Sequence, residues 1–414
     1  MNNRVPLSRH DTVSSARPLV KVAMVCNSSW YTHNFRLGLL LRLKSMGLQL
    51  YIIAPHDHYS TRLMALGFHF IPLPNSMYNT NPIQELGILR FLSEVYRQER
   101  FDFIIHYTAK PNIYGSIAAF WNRIPAIAVT TGLGLLRDEK NKLAARAVKS
   151  LYRLASLLTK ELWFLNEDDR HYFLKNKMIK ASKTFVLPSE GVNIDWYRPK
   201  PKKLISPRIK LRFLYAGRIV WSKGVGEFYQ TARYFKENNL PGEFHLVGFI
   251  VPDHPDGVSH STIQEWQNQE VIKYHGESED IRPFIHETDC VVLPSYFGEG
   301  VPRILLEAAS MGKPIITTDF VGCKEVVEDG KNGLLCKPKD AKDLINKILV
   351  FTELNQRERE LMGLAGRRKV LEEFDETLII DHYVRAIARY IAFPSLKKKH
   401  SMKTANHKSP SAPV

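Results

Sequence analysis

Two basic and two acidic side chains in the second half of the chain, Arg218, Lys223, Glu299 and Glu307, have the types and spacing to grip an anion joined to a polyol. In AGRIVWSKGVGEF (216–228) an apolar strand-like run ends at Gly217, Arg218 follows at its C-terminal edge, and Lys223-Gly224 introduces a helix. Arg and Lys at such an edge suit a diphosphate, through fork-like hydrogen bonding and charge. A turn with two solvated basic residues is the plain alternative. PSYFGEGVPRILLEAASMGKPIITTD (294–319) has the same layout, with Glu299 and Glu307 separated by seven residues. Glu299 sits in a glycine-flanked loop, where Gly300 lets backbone approach a ligand. Pro302 suits the first turn of the helix expected over 302–311, where its missing N–H costs nothing. The amides of Arg303 and Ile304 and the helix dipole then face a phosphate. Glu307, one turn on, can accept from a vicinal diol such as the ribose hydroxyls. Without such a partner a carboxylate in the apolar run ILLEAASMG would be costly.

Elements that could position these residues alternate along the chain. Strand-like runs at 19–27, 48–55, 69–74, 101–108, 125–132, 161–166 and 184–193 are interleaved with helical patterns at 84–98, 112–122 and 141–160. RPKPKKLISPRIK (198–210), with three prolines and six Lys or Arg, reads as a linker. The alternation restarts with runs at 211–218, 242–249, 271–276, 289–295, 313–319 and 332–338 and helices at 224–238, 260–269 and 302–311. Alternating strands and helices predict βαβ units and parallel sheets. The expected class is α/β, with a Rossmann-like domain over 20–197, a second over 211–372, and a C-terminal helix over 373–394 packing back toward the first. Residues 1–19 read as a leader and 395–414 as a basic tail, both without fixed structure. Two such domains face each other across a crevice at the C-terminal strand edges.

A length of 414 residues exceeds one ordinary core. Apolar content of 44% with 24% charged residues reads as a soluble globular chain, and no apolar run is long enough for a membrane span. Cys26, Cys290, Cys323 and Cys336 form no CxxC pair, which fits a reducing compartment. The net charge of +16 favours anionic partners. Nucleic acid is set aside, because aromatics are not interleaved with the basic residues on one surface.

GRxxxxKG at Gly217–Gly224, the E-x7-E pair Glu299 and Glu307, EAASMGKPIITTD and GCKEVVEDGKNGLL (322–335) together resemble the retaining family-four glycosyltransferases of GT-B fold. The resemblance covers roughly 20–390. It implies that Arg218 and Lys223 bind the donor diphosphate and stabilise the leaving group, that Glu307 holds the ribose, and that Glu299 lies beside the donor sugar. It implies a UDP-sugar donor, no required cofactor and no metal, and the chain shows no DxD pair in a suitable loop. Asp168-Asp169 opens a helix-like segment and reads as structural.

In the first half, NSSWYTHNFR (27–36) stands where many relatives carry Gly-Gly, so Ser28 and Ser29 are the expected points of close backbone approach to phosphate. Asn34-Phe35-Arg36, HYTAKPNIYGSIAA (106–119) and TTGLG (130–134) resemble bacterial enzymes that add sugars to polyprenyl-diphosphate carriers in surface glycan synthesis. Arg36 is then either an anion contact or a helix-surface arginine. His106, with Tyr107 and Lys110, is expected at the crevice, His106 as a catalytic candidate or as a satisfied structural histidine. A front-face displacement is favoured over a carboxylate nucleophile. Lys142, Arg146, Lys149 and Arg153 make a basic stripe on helix 141–160, facing either solvent or the cytoplasmic membrane surface. The leading reading is transfer to a polyprenyl-diphosphate-linked acceptor at that membrane. A soluble acceptor and a GT-B-shaped binding protein without catalysis are the alternatives.

Overall fold

A computed structural model describes residues 19–74, 82–133, 136, 142–200, 210–251, 254–298 and 300–392. Leader residues 1–18, linker residues 201–209, the basic tail and Glu299 lie outside the described residues.

Among the described residues thirteen strands form two parallel sheets. The first contains β1 (Lys21–Val25), β2 (Gln49–Ala54), β3 (His69–Pro72), β4 (Phe103–Tyr107), β5 (Ala126–Thr130), β6 (Glu161–Phe164) and β7 (Thr184–Val186), in the order β3-β2-β1-β4-β5-β6-β7. The second contains β8 (Leu211–Ala216), β9 (Gly242–Val247), β10 (Lys273–Tyr274), β11 (Cys290–Leu293), β12 (Ile315–Thr318) and β13 (Gly333–Cys336), in the order β10-β9-β8-β11-β12-β13. The central strands are continuous apolar runs, as burial of both sheet faces demands. The order reverses between β1 and β4 and again between β8 and β11. Ligands bind at such reversals, outside the carboxyl ends of the strands. These are two Rossmann-like domains in the GT-B arrangement.

Local signals set the helices that flank these edges. Ser28 caps helix Ser29–Ser45, which buries Leu39, Leu40 and Leu43 on one face. Asp57 caps helix His58–Ala65. Helix Glu376–Tyr390 buries Ile379, Tyr383 and Ile387 in the same core as Val22, Met24 and Leu39. The chain therefore crosses between domains twice, and the crossings pair: Val192 donates to Phe374 at 2.9 Å and Glu376 donates back to Val192 at 3.0 Å.

Helices His58–Ala65, Ala341–Glu353 and Gln356–Lys369 go beyond the elements expected from the sequence. The helix expected over 112–122 opens instead as a wide π-type turn, Pro111–Gly115, followed by Ser116–Trp121. There Gly115 passes over the His106 ring, and an added Cβ would lie 2.4 Å from the imidazole. Among the described residues no helix is long and apolar enough to cross a membrane.

Candidate active site

The carboxyl edges of the two sheets face each other. The Gly300 amide donates to the Thr131 carbonyl beyond β5 at 3.1 Å. Any side chain at Gly300 would begin 2.6 Å from Leu165, beyond β6. Trp30, after β1, meets Phe249, after β9, edge to face at 6.4 Å. Asp168 reaches Lys324 across the crevice at 2.9 Å, an exposed pair worth about 1 kcal/mol at most. Asp168 thus has a structural partner, and Asp169 is buried under Asn166.

At the second reversal, β8 ends in Gly217-Arg218, and a short turn, Trp221–Lys223, leads to Gly224 and helix Val225–Glu237. Asp256 fixes this turn by accepting from the Ser222 amide at 2.9 Å. Gly224 is left-handed (φ 78°), and a Cβ there would fall 2.2 Å from the Pro294 carbonyl oxygen. Only glycine lets this corner press against the end of β11. The Tyr296 amide, donating to the Ser222 carbonyl at 2.8 Å, ties the β8 and β11 loops together. Lys223 is largely buried, and its Cδ would lie 3.9 Å from a Cβ at Gly217, over the end of β8. The Arg218 guanidinium stands 5.4 Å from the centre of the Phe297 ring. Among the described residues no carboxylate is ion-paired with it.

Pro302 is the N-cap of helix Arg303–Ser310, one position earlier than expected, and Glu307 is 8% exposed in the second turn. The opening amides, Arg303 and Ile304, have no acceptor within their own helix. Arg303 Nε lies 3.4 Å from Glu307 Oε1. Tyr197, on the crossing between domains, also neighbours Glu307; burial and then that carboxylate raise its phenol pKa. The sequence reading missed Tyr197, whose only signal is an aromatic in DWYRP. Arg218, Lys223, Arg303, Ile304 and Glu307 thus converge on one strand reversal, with cations and amides for a diphosphate and a carboxylate for a diol.

The first reversal differs from expectation. Ser28 Oγ accepts from Tyr31 as a cap, and Ser29 Oγ donates to the Pro55 carbonyl at 2.6 Å. Asp57 Oδ2 already accepts from the Trp30 amide at 3.2 Å. A carboxylate at this helix start disfavours a second anion, which weighs against the phosphate contact expected at Ser28 and Ser29. His106 also differs from its expected exposure at the crevice. It is fully buried, 3.0 Å from the Tyr96 hydroxyl through Nε2, and burial pushes its pKa down to about 3. It is a buried core side chain near the end of β4, without exposure to the crevice. Tyr107 is fully buried, and Lys110 is bound to Glu85 at 2.6 Å. Arg36 is neither an anion contact nor a surface arginine: it is buried, ion-paired with Glu190, and lies 4.3 Å from the centre of the Tyr107 ring. On the basic stripe, Lys149 reaches Asn176 and Arg153 donates to the carbonyls of Asn176 and Lys177, so these two turn onto the protein. Arg146 stays exposed, with Leu154 and Leu157 on the same helix.

Both halves of the chain resemble known proteins. Residues 21–161 match the family model described as glycosyl transferase 4-like, and residues 210–353 match that of glycosyl transferases group 1. The N,N'-diacetylbacillosaminyl-diphospho-undecaprenol alpha-1,3-N-acetylgalactosaminyltransferase of Campylobacter jejuni is 30% identical, over 90% of this chain and 99% of its own length. The UDP-Gal:alpha-D-GlcNAc-diphosphoundecaprenol alpha-1,3-galactosyltransferase of Escherichia coli is 26% identical, over 75% of this chain and 81% of its own. Among solved structures, Anabaena HepE in complex with UDP and glucose superposes with a TM-score of 0.74 at 18% identity, over 89% of this chain and 100% of its own.

Proposed function

This chain belongs to the group 1, GT4-like glycosyltransferases and is a hexosyltransferase, and on that premise we propose that it moves a hexose or N-acetylhexosamine from a UDP-sugar to a polyprenyl-diphosphate-linked saccharide, with retention of anomeric configuration. The observation that supports this reading is the corner at Lys223-Gly224 pressed against Pro294, so that the β8 loop with its cations packs on the end of β11, from which the chain runs to the helix start at Arg303.

Departure of a nucleoside diphosphate builds negative charge on the leaving oxygens. Arg218, Lys223 and the amides of Arg303 and Ile304 stand ready to stabilise that charge without reorganising. Glu307 accepts the ribose hydroxyls, which orients the diphosphate, and Glu299 serves the sugar itself. The acceptor enters from the first domain, where the C-terminal ends of β5 and β6 meet the Gly300 loop. Its hydroxyl attacks beside the departing phosphate, so the new bond keeps the configuration of the old. No cofactor or metal takes part in this scheme. The exposed Arg146, Leu154 and Leu157, with Phe120 and Trp121 on a neighbouring helix, form the face that meets the cytoplasmic membrane. The names of the two enzyme relatives, both acting on undecaprenyl-diphosphate-linked sugars, support the acceptor class.

The test is incubation with a panel of UDP-sugars and polyprenyl-diphosphate-linked saccharides, reading released UDP, labelled lipid and the anomeric configuration by NMR. Transfer to lipid with retention is expected. Turnover only with soluble acceptors, or an inverted product, overturns the corresponding part. Recovery solely in the soluble fraction at low salt overturns the membrane face.

A further inference from the structure

The side chain of Arg303 makes contacts that its backbone role leaves unexplained. Its Nε approaches Glu307 Oε1 at 3.4 Å, its Nη1 donates to the Gly191 carbonyl at 3.1 Å, and its guanidinium lies 5.1 Å from the centre of the Phe35 ring. These partners lie on three different parts of the molecule. Glu307 is on the second-domain helix, Gly191 on the crossing between domains, and Phe35 on the first-domain helix Ser29–Ser45. Phe35 is itself wedged edge to face between Tyr31 at 4.7 Å and Trp30 at 5.3 Å. Gly191 cannot shift easily, since its left-handed backbone (φ 78°) runs against Glu376, whose Cα an added Cβ would meet at 2.7 Å.

We propose that Arg303 is a positioning residue whose guanidinium sets the orientation of Glu307 according to the docking of the first domain, so that the nucleoside diphosphate is held tightly only when the two domains are closed. The inference rests on the reading of Glu307 as the acceptor of the ribose hydroxyls. Two vicinal hydroxyls need both carboxylate oxygens at a fixed rotation. Arg303 touches one oxygen from the preceding turn and so fixes that rotation. A guanidinium is a rigid plane with donors in set directions, so its seat on the Gly191 carbonyl and the Phe35 face passes to Glu307. Opening the crevice removes both seats and leaves Glu307 beside a freely rotating side chain. Domain closure and nucleotide affinity are then thermodynamically coupled, each favouring the other. A lysine would keep the charge but not the three-way geometry.

The experiment titrates UDP by calorimetry into the wild type and the variants Arg303→Ala, Arg303→Lys, Phe35→Leu and Glu307→Ala, with donor KM, kcat and thermal midpoint measured for each. Loss of a charged hydrogen bond of this kind predicts about tenfold weaker UDP binding and about tenfold higher donor KM for Arg303→Ala, with a smaller change in kcat. Arg303→Lys should show most of that loss and Phe35→Leu a smaller loss in the same direction. Adding Arg303→Ala to Glu307→Ala should cost nothing more. UDP binding unchanged in Arg303→Ala, or fully restored by lysine, overturns the inference while leaving the donor reading intact, provided Glu307→Ala is impaired. Unimpaired Glu307→Ala overturns the donor reading, and the inference with it.

Discussion

The two domains repeat one topology, yet their strand reversals are furnished in opposite ways. At the first, between β1 and β4, the charges satisfy one another. Asp57 occupies the helix start, Arg36 and Glu190 are paired in the interior, and His106 is sealed under Tyr96. At the second, between β8 and β11, Arg218 stands by the Phe297 ring with no ion-paired carboxylate among the described residues, and a helix opens its amides there. The shared fold supplies two equivalent ledges, and only the residues following the strands decide which one attracts an anion. On the proposed reading the first reversal contributes rigidity and the second contributes chemistry.

Substitutions on the two sides should therefore fail differently. On the first side, Glu190→Ala strands the buried Arg36 guanidinium and should cost about 3–5 kcal/mol of stability, read as a lower denaturant midpoint. A midpoint within error of the wild type would contradict the rigid role given to this end. On the second side, Lys223→Ala should reduce transfer about 10²–10³-fold while the folded state persists, as when one preorganised charge-stabilising group is lost. Undiminished turnover would remove Lys223 from the account.

Acid should act on the first side through His106. Its folded pKa of about 3 lies below the unfolded value of 6.5, so the unfolded state binds the proton first. The stability that this neutral histidine contributes is complete above pH 6.5. It is lost as pH falls from 6.5 toward 3, by about 1.4 kcal/mol per unit. His106→Gln, whose amide can still meet the Tyr96 hydroxyl, should flatten that slope and leave the pH profile of transfer unchanged. A shifted rate profile would return His106 to catalysis. The smallest effect is expected for Asp57→Ala, about 1 kcal/mol of stability from the lost helix cap, with turnover retained.

The same contrast explains what was legible in the sequence. Both sheets, the crevice between them and the cluster around Lys223 follow from short-range patterns: apolar runs, Gly after a strand, Pro before a helix. Arg218, Lys223, Arg303 and Glu307 were visible because each sits within a few residues of the strand end or helix start that positions it. The carboxylates that meet the helix start at Ser29 and the Arg36 guanidinium were not legible because they are remote in the chain, while the burial of His106 leaves no mark in the sequence around it. Asp57 lies 27 residues from Trp30, and Glu190 lies 154 from Arg36. No local pattern reveals that a helix start already holds a carboxylate, or that an arginine beside a polar run points inward. The side-chain role of Arg303 was hidden for the same reason, since Gly191 is 112 residues away.

The most direct test of the central claim is a UDP titration comparing the double variants Arg218→Ala/Lys223→Ala and Ser28→Ala/Ser29→Ala with the wild type. The account predicts that binding is lost in the first and kept in the second. Binding kept in the first and lost in the second would move the nucleotide to the other sheet edge and contradict it.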